Sequence, residues 1–420
     1  LSADAKSQPI VSISRRGAER LRAGHVWVYR SDIVEAKDVL PGALVTVQED
    51  PGSRPKQLSD KSVRPTRAQA KPSRLQHPRI LGSALYSTAS EIAVRMISPR
   101  PVSDLEQLLR ERIRAAVAYR ERFVEDTNAY RVIFSEGDFL PGLIVDRYND
   151  LLSMQIVTQA VDAEAVRSVV VSELREALNP AAIVERVDPR VRRLEQLADK
   201  ESGLIFGEKT STEFQMNGVQ FVYDALGGQK TGAFLDQREN YAAAARYARG
   251  EALDVFCYQG GFALHLAEKC SKVTGVDSSR PALEMAERNA SLNGREIEWI
   301  EANAFDLLRD YADAGRQYDC VVLDPPAFAK SRQALQTALR GYKELNLRAL
   351  KMLRPGGILV TCSCSYHVSA ADLLGTVTAA GVDSHRNLRL LETRGAAKDH
   401  PTLLGVPETA YLKCLIVAVS

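Results

Sequence analysis

Apolar and polar positions divide the chain into three stretches with different rhythms. Over residues 10–98 the apolar residues come in short runs. VWVYRSDI, ALVTV and EIAVRMI predict strands, and Pro41-Gly42 predicts a turn. Inside this region lies PGSRPKQLSDKSVRPTRAQAKPSRLQHPR (51–79), with five prolines, eight Lys or Arg and almost nothing apolar. Such a segment cannot bury a core, so it predicts a flexible insertion in a loop of a β-domain. It serves either as a phosphate-contacting arm or as a solvated spacer.

A helical period follows. Leu105, Leu109, Ile113 and Val117 recur every fourth residue within 103–124, and Ser103 with Glu106 forms an S-x-x-E capping box. YRVIFSEGDFLPGLIVDRYNDLLSMQIV then reads as strands around a GD–PG turn. A helix over 163–177 and the strand AAIVERV come next. Residues 99–213 thus predict a small α+β domain.

From about residue 214 strands and helices alternate. LDVFC, KVTGVD, EIEWIEA, YDCVVLD and GILVTCSC are strand-like, with helical patterns at 262–270, 280–292, 304–312, 333–353 and 369–380. This alternation predicts a parallel, doubly wound α/β sheet. LRLLE and YLKCLIVAV add late edge or antiparallel strands. The expected organisation is therefore a β-rich domain over 1–98, the α+β domain over 99–213 and the doubly wound domain over 214–420. A chain of 420 residues is long enough for such a division.

Composition refines this picture. An apolar fraction of 45% and a charged fraction of 26% exclude disorder along the whole chain. The first residues, LSADAKSQPI, lack the apolar stretch of a signal peptide, and no run of about 18 apolar residues exists to span a membrane. Six cysteines, at 257, 270, 320, 362, 364 and 414, fall late and mostly within strand- or helix-like runs, unlike a secreted disulfide scaffold. A reducing cytoplasm is expected. Residues 1–98 hold 16 Lys+Arg against 9 Asp+Glu, although the whole chain carries only +2. That asymmetry suits a nucleic-acid-binding module attached to an enzyme, or else is ordinary surface charge.

In a doubly wound sheet, ligands bind beyond the carboxyl ends of the strands. After the first strand comes Asp254-VFCYQGGF, whose Gly260 and Gly261 allow close backbone approach. Asp277, 23 residues past Asp254, ends the second strand, where a carboxylate can accept ribose hydroxyls. No G-x-G-x-x-G is present, so a mononucleoside cofactor fits better than a dinucleotide. Asn303-Ala-Phe-Asp306 follows the third strand and either reaches an adenine edge or starts a helix. DPPAF (324–328) follows the fourth. Its prolines, Pro325 and Pro326, stop the strand and leave carbonyls free. Phe328 offers a flat face for a planar base.

After the fifth strand comes TCSCS (361–365). Residues two apart share a face of a strand, so Cys362 and Cys364 point the same way. A zinc site would use both with His367, but no second ligand pair accompanies them. A disulfide across C-x-C would be strained. Core packing and a nucleophile remain, and for Cys364, nearer the sheet mouth, the nucleophile is the favoured reading.

GHVWVYRSDI (24–33), EGDFLPGLIVDRY (136–148), GGQKTGAFLDQREN (227–240), DVFCYQGGF, VLDPPAFAKS (322–331), RGYKELN (340–346), TCSCS and DHPTLLGVPETAYLK (399–413) carry a family likeness. With them the chain resembles bacterial 23S ribosomal RNA cytosine-C5 methyltransferases. These are class I S-adenosylmethionine-dependent enzymes with a Rossmann-like domain and an N-terminal PUA RNA-binding domain. The resemblance implies that Lys230, Thr231, Phe234, Gln237 and Arg238 close over S-adenosylmethionine, Arg238 steadying its carboxylate. It implies that Asp254, Phe256, Tyr258 and Gly260 wall the cofactor and that Asp277 holds its ribose. Asn303 stands where many relatives have Asp, and Ala327 where many have Lys, a charge that Lys330 could replace. Cys364 would attack a cytosine held by Asp324 and the loop Pro325, Pro326 and Phe328, its thiolate formed through a lowered pKa or a nearby base. The expected partner is ribosomal RNA, gripped by the basic N-terminal domain, with Trp27 and Tyr29 either stacking on bases or packing in the core. Monomer and homodimer are both left open, and no metal is expected. The alternatives are a guanine-nitrogen methyltransferase that uses DPPAF without a cysteine, and a non-catalytic RNA-binding protein.

Overall fold

Residues 8–52, 79–227, 232–329 and 331–420 are described by a computed structural model. Most of the basic insertion, together with Lys230, Thr231 and Lys330, lies outside the described residues.

The strand pattern of the first stretch becomes a six-stranded sheet. Its core is small and aliphatic, built from Val11, Ile13, Val28, Val45, Val47, Ala84 and Val94. One element departs from the expectation of strands and turns alone: residues Arg15–Arg22 form a helix. Ser14 starts it by accepting the Gly17 N–H at 3.2 Å. Its buried face is only Gly17 and Ala18, so it carries no apolar period to be read. Trp27 lies at the edge of this sheet rather than in the core, its Nε1 donating to Glu136 Oε1 at 2.9 Å. The Arg20 guanidinium covers the Tyr29 ring at 4.8 Å.

The middle stretch forms a five-stranded sheet in the order Gly203–Phe206, Ala182–Glu185, Leu151–Ile156, Leu143–Tyr148, Ala129–Phe134. Helices Leu105–Phe123 and Glu164–Leu178 cover it. Leu109, Ile113 and Val117 are buried as their spacing predicts. The cap is displaced by one residue. Asp104, not Ser103, accepts the Gln107 N–H at 2.9 Å, and Glu106 pairs with Arg110 instead of reaching back.

The hairpin Ser211–Met216 and Val219–Asp224 runs through the expected junction at 213–214. Its Phe214, Met216 and Phe221 share one apolar cluster with Tyr148 and Leu151 before it and with Phe262 and Val322 after it. The core is therefore continuous across that point.

The last stretch contains a seven-stranded sheet. Its strands are β1 (Gly250–Val255), β2 (Cys270–Asp277), β3 (Glu298–Glu301), β4 (Tyr318–Leu323), β5 (Leu353–Ser363), β6 (Leu388–Arg394) and β7 (Lys413–Val419). They lie in the order β3-β2-β1-β4-β5-β7-β6. The pairs from β3 to β5 are parallel, whereas β7 runs antiparallel to both β5 and β6. This is the expected doubly wound sheet with two late antiparallel strands. The strand order reverses between β1 and β4, which opens a crevice at their carboxyl ends. Among the described residues no helix is long and apolar enough to cross a membrane, and no group of three or more His, Cys, Asp or Glu is placed to hold a metal ion.

Candidate active site

The loop after β1 is tightly wound. Phe256, Tyr258 and Gly260 take φ values of 68°, 49° and 87°, and the first two are sterically strained by it. Hydrogen bonds hold the loop: Cys257 N–H to Val276 O at 3.0 Å, Gly260 N–H to Cys257 O at 2.8 Å, and Tyr258 N–H to Asp277 Oδ2 at 2.9 Å. A Cβ on Gly260 would lie 2.9 Å from the Trp299 ring, and one on Gly261 would lie 2.5 Å from the Tyr241 ring. Both glycines are thus required by contact and, at Gly260, by backbone angle.

Asp254 ends up wholly buried behind this loop. Its Oδ2 accepts the Ala263 N–H at 2.9 Å, while its Oδ1 has no partner among the described residues. Burial pushes the carboxyl up to about 8. Asp277 holds Tyr258 N–H on one oxygen and Ser279 N–H, at 2.9 Å, on the other, and each oxygen keeps a second lone pair. Phe234 sits edge-on to Tyr258 at 5.1 Å. Phe234, Phe256, Tyr258 and Asp324 line one cleft. A mononucleoside cofactor fits this place: an unpartnered buried acceptor at Asp254, a carboxylate with spare lone pairs at Asp277, and aromatic walls.

Three predicted cofactor residues have partners within the protein. Arg238 is buried; its guanidinium donates to Asp399 Oδ1 at 3.0 Å and Glu125 O at 3.2 Å, while its Nε has no partner among the described residues. Gln237 accepts from Asn240 at 2.7 Å, and its amide stands against Asp324. Asn303 caps the helix Ala304–Asp313, its Oδ1 accepting Phe305 N–H at 2.9 Å and Asp306 N–H at 3.3 Å. The helix-start reading of Asn303 is the one realised, and its carbonyl is engaged by the backbone.

Across the crevice, Asp324 follows β4. Burial and the nearby Asp236 carboxylate push its carboxyl up to about 7, against a hydrogen bond from Gln237. Pro325 is buried and Pro326 exposed. Phe328 is half-buried and packs on the rings of Tyr342 at 4.8 Å and Phe305 at 6.0 Å.

Cys362 is buried and pairs directly with Cys414 of β7, as core packing requires. Cys364, just beyond β5, is half-buried, with Sγ 3.9 Å from the Pro325 carbonyl. Burial, Asp324 and Asp236 push its thiol up to about 11, with Lys413 opposing. The thiol is therefore raised, not lowered, which leaves a nearby base as the other expected route to a thiolate. Lys413 is buried beside it, its Nζ donating to Ser365 O at 2.6 Å and Tyr411 O at 2.8 Å, and burial lowers its ammonium to about 8.

Asp236 was legible only as part of a lid segment. Its own place was not: Tyr411 donates to its Oδ2 at 2.5 Å, and its charge reaches both Asp324 and Cys364. Tyr411 and Lys413 belong to the matched stretch ending in TAYLK, which was the available signal.

Comparison with known proteins gives the family. Residues 163–417 match the family described as S-adenosylmethionine-dependent methyltransferase, and residues 11–53 match a PUA-like domain. A protein of Tolumonas auensis named ribosomal RNA large subunit methyltransferase I is 38% identical over 353 residues, 81% of this chain and 88% of its own length. One of the same name from Photobacterium profundum is 37% identical, over 79% of this chain and 86% of its own. Among solved structures, a SAM-dependent methyltransferase from Streptococcus mutans superimposes with a TM-score of 0.78 at 18% identity, covering 98% of this chain and 100% of that one. At that identity the likeness speaks for the fold alone. Matched over more than half its length by the family and over four-fifths by such relatives, this chain belongs to the S-adenosylmethionine-dependent methyltransferases.

Proposed function

We propose that the chain methylates C5 of a cytosine in large-subunit (23S) ribosomal RNA, through a transient bond between Cys364 and the base. The observation that carries this reading is the half-buried Cys364 thiol at the mouth of the sheet, against the DPP loop that begins with Asp324. The names of the relatives supply the RNA, and the PUA-like match supplies a module for gripping it. A reducing cytoplasm suits six free cysteines.

C5 of cytosine is a weak nucleophile until a thiolate adds to C6. With its thiol raised to about 11, Cys364 needs a base, and Asp324, near 7 and close enough for its charge to raise the thiol, is the group to take that proton in this reading. The carboxylic acid so formed can donate to N3 of the ring. Electron density that arrives from sulfur at C6 then collects at C5 as an enamine. Asp254, Asp277, Phe234, Phe256 and Tyr258 would hold the cofactor opposite. Bound S-adenosylmethionine supplies a methyl group on a positively charged sulfur, the electrophile for C5. H5 leaves as a proton to solvent water, Cys364 departs as thiolate to restore the aromatic ring, and the N3 proton passes back through Asp324 to that thiolate. Pro326 and Ala327 stand after β4, so departure of Cys364 proceeds without a second cysteine there.

The test is Cys364→Ala. Nucleoside mass spectrometry of ribosomal RNA incubated with the variant is expected to find no 5-methylcytosine above background, a loss of more than about 10³-fold, while calorimetry finds cofactor binding intact. Full turnover by the variant, with the methyl on a guanine nitrogen, would replace this reading by base-nitrogen methylation. Wild-type protein that binds no S-adenosylmethionine would leave only an RNA-binding role.

A further inference from the structure

Ser363 and Lys413 form the last registered pair between β5 and β7, so no ladder hydrogen bond from that pairing reaches residue 364. A strand end without its ladder splays unless side chains hold it. Here side chains converge on Ser365, which is wholly buried. Its N–H donates to Ser363 Oγ at 3.3 Å. Its Oγ accepts the Ala329 N–H at 3.2 Å and is hydrogen-bonded to Tyr342 Oη at 3.0 Å. Its carbonyl accepts Lys413 Nζ at 2.6 Å. Ser363 Oγ in turn donates to Tyr342 Oη at 2.9 Å, and Tyr342 is itself wholly buried.

We propose that Tyr342, Ser363, Ser365 and Lys413 form a clamp that positions Cys364 against the DPP loop. Ser363 and Ser365 flank the cysteine, so pinning both sets the direction of the bond between Cα and Cβ at residue 364. Ala329 belongs to the loop that begins with Asp324. The same hydroxyl set therefore also fixes how far the proton acceptor stands from the thiol. A shift of about 1 Å between reacting groups costs on the order of a hundredfold in rate, and a buried polar network acts as a unit when every member is satisfied. The RGYKELN stretch thereby contributes to the site through Tyr342, its buried hydroxyl.

The inference rests on Cys364 being the nucleophile, and the experiment separates the two. Tyr342→Phe and Ser365→Ala each remove one oxygen, and Lys413→Met removes the ammonium while keeping an unbranched apolar side chain. The readout is the rate at which RNA bearing 5-fluorocytidine is trapped on the protein, since fluorine at C5 blocks release of the cysteine. Trapping by at least Tyr342→Phe and Ser365→Ala is expected to slow more than tenfold, and kcat to fall equally. KM for RNA and cofactor affinity are expected to stay within twofold. If Tyr342→Phe fails to fold by thermal melting, Ser365→Ala and Lys413→Met carry the test. Trapping at the wild-type rate in the folded variants would overturn the clamp, while a dead Cys364→Ala would still uphold the nucleophile. Turnover by Cys364→Ala would overturn both.

Discussion

Burial acts in opposite ways on the two groups proposed to exchange a proton. It keeps the Cys364 thiol protonated, at about 11, and it makes Asp324 a better base by raising it to about 7. For a free enzyme that needs Asp324 ionised, kcat/KM is expected to rise with pH through about 7 and to fall off on the acid side. Asp236 raises both groups, so Asp236→Asn is expected to move that acid limb to lower pH; a pH–rate profile of the two proteins checks it. An unmoved limb would mean that another group governs the profile. Cys364 and Asp324 were legible as candidates because a chemistry-bearing side chain at a strand end is visible in the local pattern. Arg238 was not, because its partner Asp399 lies 161 residues away.

Elements place these side chains. The β1 loop works because three residues accept positive φ and two glycines let aromatic rings approach. Gly260→Ala combines left-handed strain with a contact at 2.9 Å to Trp299, and should cost roughly 1–2 kcal/mol in the loop. Cofactor affinity measured by calorimetry should then fall about tenfold, with RNA affinity unchanged; an unaltered cofactor affinity would remove this loop from the cofactor site. Period and turn residues made β1, β2, β4 and β5 readable in advance. The helix Arg15–Arg22 escaped because its buried face is Gly17 and Ala18. Asp104 displaced Ser103 as a cap because either side chain can accept an N–H at a helix start, and the chain entry angle selects between them.

At the scale of the molecule, Asp399 gathers distant segments. It accepts from Arg238 on Oδ1 and from the Arg131 N–H, at 2.8 Å, on Oδ2, and its carbonyl accepts Arg120 Nη2 at 2.7 Å. Burial alone would raise this carboxyl, but its neighbours His400 and Arg238 and the Arg131 N–H hold it well below the usual range. Asp399→Ala removes the buried carboxylate at 3.0 Å from Arg238 and leaves that arginine Glu239 at 3.7 Å and the Glu125 carbonyl; it is expected to cost about 3–5 kcal/mol, read as a lower midpoint in urea. A carboxyl depressed by folding stabilises the chain above its unfolded pKa, about 3.9, and that contribution is lost as pH falls below it. The wild type should therefore lose stability more steeply below about pH 4 than the variant. Parallel curves would show that Asp399 does not carry the linkage.

Local pattern determined the strands and helices of the doubly wound sheet, its late antiparallel strands, and the strand ends at Asp254, Asp277, Asp324 and Cys364. Backbone preference and face alternation are properties of neighbouring residues, so spacing alone encodes them. Tertiary structure decided that Arg238 binds Asp399, that Phe328 packs on Tyr342, that the carbonyl of Asn303 caps a helix, and that burial raises the Cys364 thiol. Those outcomes depend on burial and on charges brought close by folding. Segments far apart in the chain create them, and no local spacing contains them.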